Sequence, residues 1–258
     1  MTDELSYEVR DRAAFLTIRR EARRNALSPE IIAAFGAFLD QAAADPAVWA
    51  VCITGAGEKA FCAGADLGGA LDAAPGGPPR AALDYAALLG KMLAYGKPLV
   101  ARVNGPCLAG GMGLMLGCHL VLARDDAFFS LPEVNVGIFP MMVGALLLRN
   151  VGRKKALEMV LTGRKVGAAE AERIGLITRA VPAEALDAEV EELLALMATR
   201  SPIGVKIGLE AFHAMSDLPV DEALTALCAA LGRSLDTEDA REGMRAFMEK
   251  RRPEFKGR

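Results

Sequence analysis

Histidine is nearly missing from this chain. His119 and His213 are the only two in 258 residues, too few and too scattered for a Ser-His-Asp triad or a metal cluster. Cysteine is scarce: Cys52, Cys62, Cys107, Cys118 and Cys228 are odd in number and never spaced Cys-x-x-Cys. Neither a disulfide framework nor a zinc site is expected, and a reducing cytoplasm fits best. No uninterrupted apolar run reaches about 18 residues, and the polar start MTDELSYEVRDR lacks a basic segment leading into an apolar one. Neither a membrane partner nor export is therefore expected. Positive charge is not in excess either: 30 Lys and Arg stand against 33 Asp and Glu, a net charge of −3, so no nucleic-acid partner is expected. Gly-x-Gly-x-x-Gly and the Gly-x-x-x-x-Gly-Lys-Ser/Thr loop are both absent, which removes the common nucleotide-binding signatures.

What the chain does have is hydrophobic mass, 52% of its residues, ample for a large core. SYEVR and AAFLTIRR read as an opening hairpin. Ser28-Pro-Glu then starts a helix whose apolar face runs through Ile31, Ile32, Phe35, Phe38 and Leu39. VWAVCIT, PLVARV, CHLVLA and AFFS read as strands, with helices around Ala81 to Leu93 and Gly111 to Leu116 between them. Alternating strands and helices predict an α/β class. Residues 68 to 80, rich in Gly, Ala and Pro, read as a mobile surface loop. From Glu184 onward the strand signal stops, and Leu186 to Met197, Ile203 to Met215, Val220 to Leu231 and Glu238 to Lys250 read as helices. Residues 1–199 are thus expected to form the core and 200–258 a helical C-terminal subdomain. A basic cluster, Arg245, Lys250, Arg251, Arg252, Lys256 and Arg258, closes the chain; it suits a solvated terminus or a phosphate contact.

One carboxylate sits in unusual company. Leu131-Pro-Glu-Val-Asn-Val-Gly-Ile-Phe-Pro-Met-Met142 surrounds Glu133 with apolar chain, so its carboxylate must be hydrogen-bonded, reach solvent or carry a raised pKa. Ser130-Leu-Pro-Glu133 has capping-box spacing, which competes with a catalytic reading. Two glycine-bearing turns each follow a predicted strand: Phe61-Cys-Ala-Gly-Ala-Asp-Leu67 and Asn104-Gly-Pro-Cys-Leu-Ala-Gly-Gly-Met-Gly113. Tight backbone geometry alone explains most such turns. Two N–H groups converging on one oxygen would instead form an oxyanion hole.

KAFCAGADL, ARVNGPCLAGGMGLMLGCHLVLA, SLPEVNVGIFP, RKKALEMVLTGRKVGAAEAERIGLI and EDAREGMRAFMEKRRPEFKGR, in this order and spacing, resemble the crotonase family of enoyl-CoA hydratases and isomerases. The resemblance implies a crotonase-like spiral of ββα units with a C-terminal helical trimerisation region, assembling as a homotrimer or dimer of trimers. It implies an acyl-CoA thioester substrate with coenzyme A as part of it, and no separate cofactor or metal. By position, the N–H groups of Ala65 and Gly110 would hold the thioester carbonyl, and Glu133 would be the acid/base. Ala63, Asp66, Leu67, Gly113, Phe139, Pro140 and Met141 would line the acyl site. Lys59, Phe255 and Lys256 would meet coenzyme A.

The sequence also departs from the family pattern. Gly113 stands where the hydratases of the family carry another glutamate. A double-bond shift needs one base that takes and returns a proton, whereas syn addition of water is easiest with two groups flanking the water. Isomerisation is therefore favoured over hydration by a single glutamate. Other enolate reactions, such as decarboxylation or thioester hydrolysis, and a catalytically silent acyl-CoA-binding subunit remain alternatives. Asp66 suits a local backbone bond as well as a second acid. Cys62 and Cys107 suit buried small residues better than nucleophiles. Met141 occupies the place where the family's dehalogenases carry an aspartate, which disfavours that branch.

Overall fold

A computed structural model describes residues 2–65 and 77–258. The chain opens with an antiparallel hairpin of β1 (Leu5–Arg10) and β2 (Ala13–Ile18), Leu5 lying opposite Ile18. Its two-residue turn places Asp11 and Arg12 at φ 48° and 64°, the mirror-image turn that suits the twist of paired strands. β2 then runs parallel to β3 (Ala50–Gly55), β3 to β4 (Leu99–Val103), β4 to β6 (Leu120–Arg124) and β6 to β9 (Arg179–Val181). A smaller sheet joins β5 (Cys107–Leu108), β7 (Phe128–Ser130) and β8 (Val166–Gly167).

Parallel strands covered on both faces must be apolar throughout, and all six residues of β3 are buried. Successive side chains point to opposite faces, which separates two cores. Leu16, Ile18, Val51 and Ile53 pack with Phe35 and Leu39 of α1 (Pro29–Ala44) and with Tyr85, Leu88 and Met92 of α2 (Arg80–Leu93). Ala13, Ala50, Cys52, Val100 and Leu122 pack on the other face against Leu186, Val190 and Leu194 of α7 (Leu186–Met197). α1 starts as its sequence predicts: the Ser28 hydroxyl accepts from the Ile31 N–H at 3.3 Å, and Pro29 takes the first turn. Between β4 and β9 lie α3 (Gly110–Leu116), α4 (Met141–Asn150), α5 (Arg153–Thr162) and α6 (Ala168–Arg173).

The joint read at Arg200-Ser-Pro falls between α7 and α8 (Pro202–Met215), which is followed by α9 (Val220–Leu235) and α10 (Glu238–Met248). The chain end returns to this group. Asp239, only 1% exposed, accepts from the Ser201 hydroxyl at 2.8 Å and from the backbone N–H groups of Lys256 and Gly257 at 2.7 and 3.0 Å. The same Ser201 hydroxyl caps α8 by accepting from Gly204 N–H at 3.0 Å. The loop reading for residues 68 to 80 falls largely outside the described residues, except that Arg80 already begins α2.

Phe35 is fully buried between α1 and the sheet. Phe35→Ala should lower unfolding stability by about 3–5 kcal/mol, the usual cost of emptying an aromatic site, as read from urea unfolding at fixed protein concentration.

Candidate active site

The first glycine turn is fixed from behind by an asparagine. Asn25, fully buried, donates through Nδ2 to the carbonyls of Ala60 at 2.7 Å and Ala56 at 3.0 Å. Ala63 N–H donates to Arg24 O at 3.0 Å, and Leu27 N–H to Gly64 O at 2.8 Å. Gly64 has φ +95°, and a Cβ there would lie 2.6 Å from the Ala109 Cβ and 3.0 Å from the Gly110 nitrogen. Only glycine fits, by conformation and by space. The second turn is bonded to the first through Leu108 N–H and Cys62 O at 2.9 Å. Ala109, immediately before α3, takes φ 48° and ψ −128°, a costly conformation for an L residue that the surrounding bonds must hold.

These constraints bring the expected carbonyl-binding groups together. The Ala65 nitrogen lies 3.4 Å from where a Cβ on Gly110 would stand, so the backbones of the two residues lie close together. Among the described residues, neither donates to a backbone acceptor. Asp66 and Leu67, expected beside them, lie outside the described residues.

The small sheet sets the segment that carries Glu133 against the second turn. Leu108 pairs with Ser130, and Ala109 N–H donates to Ser130 O at 3.0 Å, so the segment leaving β7 lies across from the second turn. A 3-10 turn, Pro132–Val136, carries Glu133 and is closed by Gly137 at φ +78°. The capping box read from Ser130 and Glu133 does not form: the Ser130 hydroxyl donates to Gly163 O at 2.8 Å, and Leu131 occupies the cap position without a side-chain bond. The serine is drawn away because the carbonyl that ends α5 offers it a partly buried partner. Glu133 Oε2 is buried and has no hydrogen-bond partner among the described residues. Burial raises the pKa of the carboxyl, opposed by a bond from its own backbone N–H.

The apolar wall expected around Glu133 is a rim instead. Val136, Ile138, Phe139 and Met141 are 64%, 51%, 43% and 69% exposed, whereas Pro140 is buried. The 3-10 turn and the start of α4 carry these side chains outward within this subunit.

Sequence reasoning missed Tyr85. Gly113 is buried within α3, and a Cβ on it would overlap the Tyr85 hydroxyl, standing 3.1 Å from its Cζ and 3.3 Å from Val143 Cγ2. The phenol, 6% exposed, donates to the Gly110 carbonyl. Burial, reinforced by the acidic groups of Cys62, Cys107 and Glu133, holds its pKa well above the ordinary tyrosine value. Tyr85 occupies an apolar position of α2, so periodicity reads it as core. The available signal was its polar tip, which a buried tyrosine must satisfy.

Other candidates fall elsewhere. Lys59 is exposed beside the first turn. Phe255 rests over Gly243 of α10, whose Cβ would lie 3.4 Å from its ring. Lys256 borders a cavity of about 610 Å³ shared with Glu238, Glu242 and Arg245, a wall of mixed charge. Cys62 and Cys107 are buried, and burial pushes the Cys62 thiol up to about 12 and that of Cys107 well above its usual range, leaving no thiolate for attack. His119 is structural: its Nδ1 accepts from Leu99 N–H at 2.9 Å.

Two adjoining glycine turns, with a carboxylate that has one buried, unpartnered oxygen on the segment paired to the second of them, have the makings of a site for stabilising an oxyanion while a proton moves. The chain belongs to the enoyl-CoA hydratase/isomerase family, whose sequence model matches residues 9–258. The 2,3-dehydroadipyl-CoA hydratase of Escherichia coli K12 is 33% identical over 264 residues, covering 99% of both chains. The carnitinyl-CoA dehydratase of Proteus mirabilis is 36% identical over 219 residues, covering 83% of this chain and 84% of that one. The crystal structure of an enoyl-CoA hydratase from Bacillus anthracis superposes with a TM-score of 0.94 at 30% identity, covering 99% of this chain and all of that one. The fold is thus the crotonase fold, mixed α/β with C-terminal helices, and the chain is an acyl-CoA-processing enzyme of that family.

Gly64→Ala should separate the two turns, because the added methyl meets Ala109 at 2.6 Å. Turnover of an enoyl-CoA should fall by about 100-fold or more, the scale of losing one oxyanion donor, while circular dichroism reports a retained fold.

Proposed function

We propose that the protein moves a proton on an enoyl-CoA thioester, with Glu133 as its one acid/base and the N–H groups of Ala65 and Gly110 as donors to the thioester oxygen. The observation that carries this reading is the buried, unpartnered Oε2 of Glu133 on the segment that the β5–β7 pairing sets against the second turn. Abstraction of a proton beside the thioester, or addition to the conjugated double bond, leaves charge on the carbonyl oxygen. Each donor lost from such a site typically costs about 3–4 kcal/mol of barrier.

Double-bond isomerisation is the reaction that a single carboxylate performs most directly. Glu133 takes a proton from C2 of a 3-enoyl thioester, the electron pair delocalises onto the oxygen, and the proton returns at C4 to leave the conjugated 2-enoyl product. Hydration is the second reading, favoured by the hydratase names of the relatives. Gly113→Glu is no simple route to hydration, because Tyr85 fills the space that the new side chain would need.

Coenzyme A recognition by Lys59, Phe255 and Lys256 belongs to this proposal, as does cytoplasmic operation. So does assembly into trimers. Leu224, Leu231, Phe247 and Met248 are 60%, 59%, 85% and 75% exposed on α9 and α10, more apolar surface than a small helical group leaves to water. Light scattering at micromolar concentration should give a trimer or a multiple of it, and a 27.2 kDa monomer would contradict the assembly.

Glu133→Gln should lower kcat by about 100-fold or more while acyl-CoA binding survives. Wild-type isomerisation of a 3-enoyl-CoA should outpace hydration of crotonyl-CoA in a product assay; the reverse order would favour the second reading. Because the base must be ionised, kcat/KM should rise with pH through a midpoint above the ordinary glutamate value. The sign for stability is opposite. A folded pKa above the unfolded one stabilises the protonated protein and loses that contribution as pH rises through the folded value. Glu133→Gln should therefore be at least as heat-stable as the wild type at pH 7.

A further inference from the structure

Tyr85 has no part in the proton transfer above, yet it is built into the wall of the same site. Its hydroxyl enters through the notch left by Gly113, donates to the Gly110 carbonyl, and has the Leu114 N–H facing its oxygen. Residues 110 and 114 are the i and i+4 partners of one helical bond. The phenol is therefore inserted into the first turn of α3, which a side chain on residue 113 would prevent. The same Gly110 carries the N–H that lies beside Ala65. Ala109, which sets the direction of that N–H, is in a strained conformation, so the turn needs a tether from the helix side as well as the bond from Ala109 N–H to Ser130.

We propose that Tyr85 is a positioning residue of the oxyanion site: by tying the Gly110 carbonyl through the Gly113 notch, its hydroxyl aims the Gly110 N–H at the thioester oxygen. The proposal rests on the enolate reading above. A donor loosened by removing the tether loses most where negative charge has developed and little in the ground state, since preorganisation matters when the oxyanion forms. A tyrosine that served packing alone would show no such asymmetry.

Tyr85→Phe keeps the ring and removes the tether. With a 3-enoyl-CoA, kcat should fall about tenfold while KM changes less than about twofold. The second readout needs no turnover. Acetoacetyl-CoA, a 3-ketoacyl thioester, loses its C2 proton to give an enolate with a near-ultraviolet band, whereas butyryl-CoA has no such band. Bound to Tyr85→Phe, acetoacetyl-CoA should show a weaker enolate band than on the wild type, with butyryl-CoA affinity unchanged. Gly113→Ala, which displaces the hydroxyl by filling its notch, should reproduce both losses and serves if Tyr85→Phe is poorly folded. Unchanged kcat and an unchanged band overturn the proposal. So does reduced turnover with a full enolate band, which would place the role of Tyr85 away from the oxygen. An active Glu133→Gln enzyme would defeat the proton-transfer reading while leaving the acetoacetyl-CoA comparison valid for Tyr85.

Discussion

The site depends on one close approach, Gly64 against the Ala109 methyl and the Gly110 nitrogen. A methyl on Gly64 would lie 2.6 Å from the Ala109 Cβ, so the two turns touch with no room for a side chain on Gly64. Much of the neighbouring structure holds that approach. Asn25 braces the first turn, the Leu108 bond to Cys62 stitches the turns together, and pairing of β5 with β7 sets the second turn against the segment of Glu133. Buried polar bonds of this kind contribute only about 1 kcal/mol each to stability. Their larger effect is to allow only one arrangement.

The site sets opposite demands on its two polar side chains. One oxygen of Glu133 is buried with no partner among the described residues, and burial raises the pKa of the carboxyl. Tyr85 is fully engaged and stays protonated. On the proposed reading, the group that exchanges protons keeps unmet hydrogen-bonding capacity and the group that holds geometry has none.

Most of the fold was legible in the residues because its long elements repeat their periods. The apolar face of α1 and the continuous burial of β3 follow from spacing and β-branching alone. The two-residue strands β5 and β8 were not legible, since two residues cannot show an alternation. At the site, the glycine turns and Glu133 stood out as local anomalies. The positions that depend on distant partners did not. Ser130 suited a cap until Gly163 competed for it, the apolar run after Glu133 suited a wall until its direction was known, and Tyr85 was hidden among the apolar positions of α2.

The bonds around Asp239 bear on how the chain's end is treated. Its carboxylate joins Ser201, the cap of α8, to the backbone of residues 256 and 257. The final residues are thus a clasp for a helix more than fifty positions earlier in the chain. Trimming them removes the anchorage of α8 as well as the tail. An affinity change seen after such an edit therefore reports on a whole helical group, and single side-chain replacements at Phe255 or Lys256 are the cleaner instrument.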